Sequence, residues 1–214
     1  MGNDPRTMTA GRILPRSGVL ILGHNFHDKA NYCKTVQRGG EIDRNATWRA
    51  LLPFLRSCGI DPEACFYTNA LMGLMDKAGA TGAHRGHRVL AFRESCGQLL
   101  RATIDLQRPR LVLTLGRPAT RFLGEVVDGL EAWARMSSFP RFDSGELWRA
   151  GLDLPRVGHG RIAAVALVHP CLRGSNLRHR TYKGRKEGAA ELAMTRDAMR
   201  ACEMLPRGDA DLAY

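Results

Sequence analysis

The chain has no apolar run approaching the roughly 20 residues that a membrane-spanning helix needs. Its longest, Val19–Leu22 and Ala163–Val168, are strand-sized, and no membrane partner is expected. Cysteine pairing is also missing. Cys33, Cys58, Cys65, Cys96, Cys171 and Cys202 are scattered without any Cys-x-x-Cys, which argues against a zinc ribbon or a disulfide scaffold and for reduced, mostly buried thiols. There is no Gly-x-x-x-x-Gly-Lys-Ser/Thr loop and no Gly-x-Gly-x-x-Gly opening a helix, so ATP and dinucleotides are not expected ligands. No internal repeat or low-complexity tract occurs. The first sixteen residues, MGNDPRTMTAGRILPR, carry no apolar core ahead of a small-residue cleavage site, so a cytoplasmic protein is expected. Acidic residues are scarce: 21 Asp and Glu stand against 32 Lys and Arg, a formal net charge of +11. Such an excess points to a polyanionic partner rather than to any fold.

What is present is the composition of a globular protein, 44% hydrophobic and 25% charged over 214 residues. That suits a single domain, 1–214, with a core over about 17–204. Four segments rich in Val, Ile and Leu, Gly18–Leu22, Cys65–Thr68, Arg110–Leu115 and Ala163–Val168, read as strands. They are continuous rather than alternating, as expected when a parallel sheet is covered on both faces. Helices are expected over Arg44–Ser57, capped by Asp43, stopped by Gly59 and weakened at Pro53; over Arg88–Leu106; over Pro118–Leu123; and over Glu187–Met204. The expected fold is therefore three-layer α/β/α around a central four-stranded, mainly parallel sheet with right-handed crossovers. Residues 125–160, where the pattern dissolves, read as an insertion whose Trp133, Phe139, Phe142 and Trp148 pack on the domain.

In an open α/β sheet, ligands bind beyond the carboxyl ends of the strands. The strands exit into Gly23-His24-Asn25-Phe26-His27-Asp28, Asn69, Gly116-Arg117 and His169-Pro170-Cys171-Leu172-Arg173. Amides, histidine and cations with few carboxylates suit the stabilisation of negative charge better than the holding of a hard metal. After His169 comes RGSNLRHRTYKGRK, in which six of fourteen residues are Lys or Arg and none is acidic, a stretch expected to meet phosphates.

VLILGHN, CFYTNAL, RPRLVLTLGRPATRFLG and VALVHPCL, in that order and spacing, resemble the uracil-DNA glycosylase superfamily over roughly residues 17–200. The resemblance implies catalytic roles for Asn25, at the position that positions or activates the attacking water, and for His169, which would stabilise charge developing on the base carbonyl. It implies base reading by Asn69 and a loop at Leu172 and Arg173 that fills the gap left by an extruded nucleotide. Asp28 and His27 stand close enough to accept a proton in place of Asn25, and His24 and Phe26 are further base-binding candidates. Gly116, Arg117, Ser175, Arg178, Arg180 and Lys183 complete the expected DNA contacts.

The chain also departs from the superfamily pattern. Phe26 and His27 stand where a proline and the wall beside pyrimidine C5 usually lie, and TVQRGGEID stands where the stacking aromatic is usual. Gln37, Arg38, Gly39, Gly40 and Glu41 would make a roomier, polar pocket, suited to a bulky 5-substituted pyrimidine such as a sugar-modified hydroxymethylcytosine of viral DNA. The expected function is thus a monofunctional DNA glycosylase with a role in antiviral defence, working as a monomer on double- or single-stranded DNA without cofactor or metal. The alternatives are a uracil-DNA glycosylase of base-excision repair, a non-catalytic reader of modified DNA, and a small-molecule nucleoside hydrolase. His84 and His87 have the spacing of paired ligands but no further partners nearby, and read as phosphate contacts. Some superfamily branches hold an iron–sulfur cluster on four cysteines. Cys96 suits one ligand, but the N-terminal pair is missing, so the purified protein is expected to be colourless, without absorbance near 400 nm.

Overall fold

The computed structural model describes residues 18–26, 28–39, 45–75, 85–139, 148–152 (backbone only) and 162–204. Among them, β1 (Val19–Asn25), β2 (Phe66–Leu71), β3 (Leu111–Leu115), β4 (Trp148–Leu152) and β5 (Ile162–Leu167) form one sheet in the order β2-β1-β3-β5-β4. The four strands expected from the sequence make its parallel core. All of β3 and β5 and the first four residues of β1 are buried, which is why these segments read as unbroken apolar runs.

The stretch expected to be an insertion instead contributes to the sheet. β4 pairs antiparallel with β5 at the edge, a fifth strand that no apolar pattern announced. Ahead of it, α5 (Glu131–Arg135) packs on α4 (Arg117–Val126) and buries Trp133 completely. The close approach depends on Gly124, where a Cβ would lie 2.5 Å from the Ala134 nitrogen and 2.7 Å from the Leu130 oxygen.

Two groups of helices cover the sheet. α2 (Ala46–Cys58) packs with α7 (Glu187–Ala201), which the single-turn α6 (Arg173–Asn176) precedes, whereas α3 (Leu90–Gln107) packs with α4, giving three α/β/α layers. The α2 cap is Asn45, whose side chain accepts from the Thr47 N–H, and Gly59 ends the helix at φ 81; Asp43 lies outside the described residues. The helix runs unbroken through the exposed Pro53. A further helix, α1 (Lys29–Gln37), precedes α2 and was not legible, because its pattern carries no apolar stripe.

One buried carboxylate ties α7 to the sheet. Glu191, with no solvent exposure, accepts the Val168 N–H at 2.7 Å and the Arg173 guanidinium at 2.6 Å, and lies 3.7 Å from Arg180 Nε. Arg180, equally buried, donates to the Ala166 carbonyl and stacks over Phe139. Arg173 lies 4.9 Å over the Phe54 ring of α2. Removing one partner from a buried charge cluster leaves the others uncompensated. Glu191→Ala is therefore expected to cost about 3–5 kcal/mol, read as a lowered urea midpoint, with Glu191→Gln costing less because it still accepts from Val168.

Candidate active site

The strand register sets the site. Leu22, Thr68, Thr114 and Ala166 form one row across β1, β2, β3 and β5, so the residues just beyond them emerge on one rim. The chain leaves β1 toward β2 and leaves β3 toward β5 in the opposite direction, which makes the carboxyl ends of β1 and β3 a topological switch point. Asn25 rises from β1, Asn69 from β2, Gly116 and Arg117 follow β3, and His169 follows β5. Neighbouring strands are about 4.8 Å apart, so β1 and β5 stand about 10 Å apart across β3.

Two glycines give the side chains room. Gly23 pairs with Asn69 across β1 and β2, and a Cβ at Gly23 would lie 2.3 Å from Asn69 Oδ1. The amide of Asn69 thus lies across a bare backbone, half-buried, with no hydrogen-bond partner among the described residues. Gly116, at φ 84, caps α4, and a Cβ there would meet the His169 Cβ at 3.0 Å. The Gly116 N–H donates to the Leu167 carbonyl at 2.8 Å, fixing the strand end from which His169 departs.

His169 is half-buried, and its Nδ1 lies 3.0 Å from Cys171 Sγ. With the thiol as donor, the neutral ring carries its proton on Nε2. Burial pushes the imidazole below its ordinary pKa, so the neutral form holds near neutral pH. Asn25 donates from its amide nitrogen to His24 Nδ1 at 3.3 Å, which leaves its carbonyl oxygen to accept from another donor. Phe26 is about one-third exposed beside it (36%). His27 lies outside the described residues.

Several expected roles change. Asp28 is fully buried and caps α1: one oxygen accepts the Asn31 N–H at 2.9 Å and the other the Asn31 side-chain amide at 2.7 Å. Engaged in this way, it serves the fold first, and a proton-accepting role would compete with the cap. Arg173 and Arg180, expected to contact DNA, instead turn inward to Glu191, because an unpaired carboxylate at zero exposure would be far costlier than two withdrawn cations. Lys183 pairs with Asp197 at 2.9 Å. Burial alone would raise the Asp197 carboxyl, but hydrogen bonds from Lys183 and Tyr182 and the charges of Lys183 and Arg200 outweigh it and hold the group below its usual range.

Of the other expected DNA contacts, Leu172 is half-exposed, Ser175 donates to the Leu172 carbonyl at 3.2 Å, and Arg178 is exposed beside His179. Arg117 is exposed and donates to the Ser137 carbonyl. Arg185 and Lys186, which the sequence did not single out, are exposed on a hairpin of β6 (Thr181–Tyr182) and β7 (Arg185–Lys186). Its turn residues, Lys183 and Gly184, both have positive φ. Glu191 and Cys171 were missed as well. The only signal for Glu191 was an acidic residue on the same helical face as Thr195 and Ala198.

Among the described residues, no three His, Cys, Asp or Glu side chains gather as a metal-binding group, and no helix is long and apolar enough to cross a membrane. His87 is exposed, while His84 lies outside the described residues. Comparison with protein-family models and with curated proteins gives no match to this chain.

Two measurements check this geometry. Gly116→Ala is expected to lose about 1–2 kcal/mol from the left-handed backbone alone, while Gly23→Ala changes the melting temperature little and swings the Asn69 amide aside. As for pH, a histidine whose folded pKa is depressed supplies stability that is complete above its unfolded value, near 6.5, and is lost as pH falls through the folded value. Stability measured from pH 7 down to about 5 should therefore fall less in His169→Gln than in the parent.

Proposed function

We propose that the chain is a monofunctional DNA glycosylase that extrudes a modified pyrimidine from DNA and excises it by hydrolysis, leaving an abasic site. The observation that carries this reading is the half-buried His169 imidazole, set between Gly116 and Cys171 on the rim that also bears Asn25 and Asn69. Cleaving an N-glycosidic bond breaks C1′–N1, leaves cation-like character on the sugar and sends the electron pair to the base, whose O2 gathers negative charge. A neutral imidazole donating from Nε2 stabilises that oxygen without a strong acid.

The Asn69 amide, half-buried and without a hydrogen-bond partner among the described residues, suits the Watson–Crick edge of an extruded base. The Asn25 carbonyl accepts a hydrogen from water and aims its oxygen at C1′. As the new C–O bond forms, the water's second proton passes to the departing base or to solvent, so an amide suffices where a general base would otherwise act.

The preferred substrate is a bulky 5-substituted cytosine, such as glucosylated hydroxymethylcytosine of phage DNA, which places the protein in cytoplasmic antiviral defence as a monomer. Gln37, Arg38 and Gly39 support a roomy polar approach, since all three are exposed at the end of α1.

The test incubates the protein with duplexes bearing uracil, hydroxymethylcytosine or its glucosylated form, then treats them with alkali to break abasic sites. Strand breaks at the sugar-bearing base are expected. Breaks at uracil alone would replace the substrate assignment, and tight binding with no breaks would make the protein a reader. His169→Ala is expected to lower the excision rate by about 10²–10³ with DNA affinity nearly unchanged. A large loss of affinity would mean that His169 contacts phosphate.

A further inference from the structure

Proline sets the shape of the segment that follows β5. The ring of Pro170 fixes its φ at about −65° and opens a single 3-10 turn, Pro170–Leu172, in which the His169 carbonyl accepts the Leu172 N–H at 2.8 Å. Pro170 is buried and the turn packs on α2, while the Val168 N–H just ahead of it is bound by Glu191. A turn closed in this way folds the residue two places after the histidine back over its ring. Cys171 Sγ lies 3.0 Å from His169 Nδ1, and among the described residues no other side chain bonds the imidazole.

We infer that Cys171 is the positioning residue of His169, its thiol donating to Nδ1 and so fixing the ring as the Nε2–H tautomer, with Nε2 as the donor of the site. Acidity sets the direction of the bond. A thiol is a far stronger acid than the N–H of a neutral imidazole, and an imidazole lone pair is a far better acceptor than sulfur, so the shared proton resides on sulfur. A ring without this partner exchanges its proton between the two nitrogens. The fraction carrying it on Nδ1 presents a lone pair at Nε2, which repels an oxygen gathering negative charge. The contact also holds the ring against rotation about Cβ–Cγ. A carboxylate in the same place would orient the histidine as it does in a Ser-His-Asp triad, but its charge would raise the imidazole pKa. A thiol orients the ring and leaves it neutral, in keeping with the downward push of burial on this group. The inference rests on the glycosylase reading for what the Nε2 donor serves, not for the contact itself.

The experiment reads the ring first and the chemistry second. Full-length protein with histidine isotopically labelled at both ring nitrogens gives the Nδ1 and Nε2 resonances of His169, assigned by their absence in His169→Gln. The parent, Cys171→Ser and Cys171→Ala are compared. Cys171 is exposed, so its variants should melt as the parent does, which circular dichroism verifies. In the parent the proton is expected on Nε2, with Nδ1 resonating as a hydrogen-bonded lone pair. Cys171→Ser, whose hydroxyl also donates, should keep both features, whereas in Cys171→Ala Nδ1 should resonate as a bare lone pair and part of the proton should move onto it. Single-turnover excision from the glucosylated duplex is expected to fall about tenfold in Cys171→Ala and less in Cys171→Ser, with duplex affinity alike in all three. Chemical capping supplies a second handle. In a Cys33→Ser background, which leaves Cys171 as the exposed thiol, methyl methanethiosulfonate should reproduce the Cys171→Ala spectrum. An S–S bond forms as methanesulfinate leaves, the thiol proton passes to solvent, and dithiothreitol should restore the parent spectrum.

A parent spectrum with the proton on Nδ1, or an Nδ1 resonance that is the same in the parent, the capped protein and Cys171→Ala, would overturn the inference whatever the protein excises. So would excision as fast in Cys171→Ala as in the parent, or as slow in Cys171→Ser as in Cys171→Ala. The expected Nδ1 change in a protein that excises no base would sustain the inference and sink the glycosylase reading.

Discussion

Two hydrogen-bond donors, the Val168 N–H and the Arg173 guanidinium, and the cation of Arg180 converge on the buried carboxylate of Glu191, and the geometry beyond β5 depends on them. The Val168 N–H would otherwise be an unmet donor at the strand end, and a carboxylate without solvent is tolerable only when paired and hydrogen-bonded. Arg173 and Arg180 supply that compensation from either end of the segment that follows His169. The segment is thereby folded back on α7, and the histidine at its root is held where Gly116 can pack against it. Arg180 extends the same constraint to the Ala166 carbonyl and to Phe139, so the terminal helix, the sheet and the 131–139 region share one polar joint. A cluster of this kind often adds no more net stability than an apolar one of equal volume, but any loop arrangement that leaves Glu191 unpaired is penalised.

Charge is therefore divided by function along a short stretch of chain. Of the six cations from Arg173 to Lys186, two are withdrawn to balance Glu191 and one leans on Asp197. Arg178, Arg185 and Lys186 remain exposed. The site itself takes its character from small residues and neutral donors. Gly23 and Gly116 leave volume that Asn69 and His169 approach, and burial keeps the imidazole uncharged. Nothing in that set of described residues supplies a strong base.

The parallel core was legible because doubly covered strand segments are mostly apolar, as Val19–Leu22 of β1, β3 and β5 are. The strand ends were legible only in part: Gly116 and His169 do follow their strands, whereas β1 runs on to Asn25 and β2 runs two residues past Asn69. Edge strand β4 was not, since an edge carries no continuous apolar run, and α1 was not, since a helix that buries nothing leaves no periodic trace. Sequence also misassigned Arg173 and Arg180. Composition reports how many cations a loop has, but whether each faces solvent depends on a partner like Glu191, brought from elsewhere in the chain. Position 28 shows the same limit, because a carboxylate beside a candidate catalytic residue can be a helix cap with both oxygens occupied.

The wide separation of the rim residues along the chain has a consequence for how the protein is made. Asn25, Asn69 and Gly116 leave the ribosome well before His169, and β1 and β2 can pair with β3 as parallel strands as soon as β3 is available. His169 arrives later, and its loop has no anchor until Glu191 has followed it out. The rim at the carboxyl ends of the strands is thus completed last, when α7 has been made. A chain interrupted before α7 would hold most of the strand ends and much of the positive charge yet lack a positioned histidine.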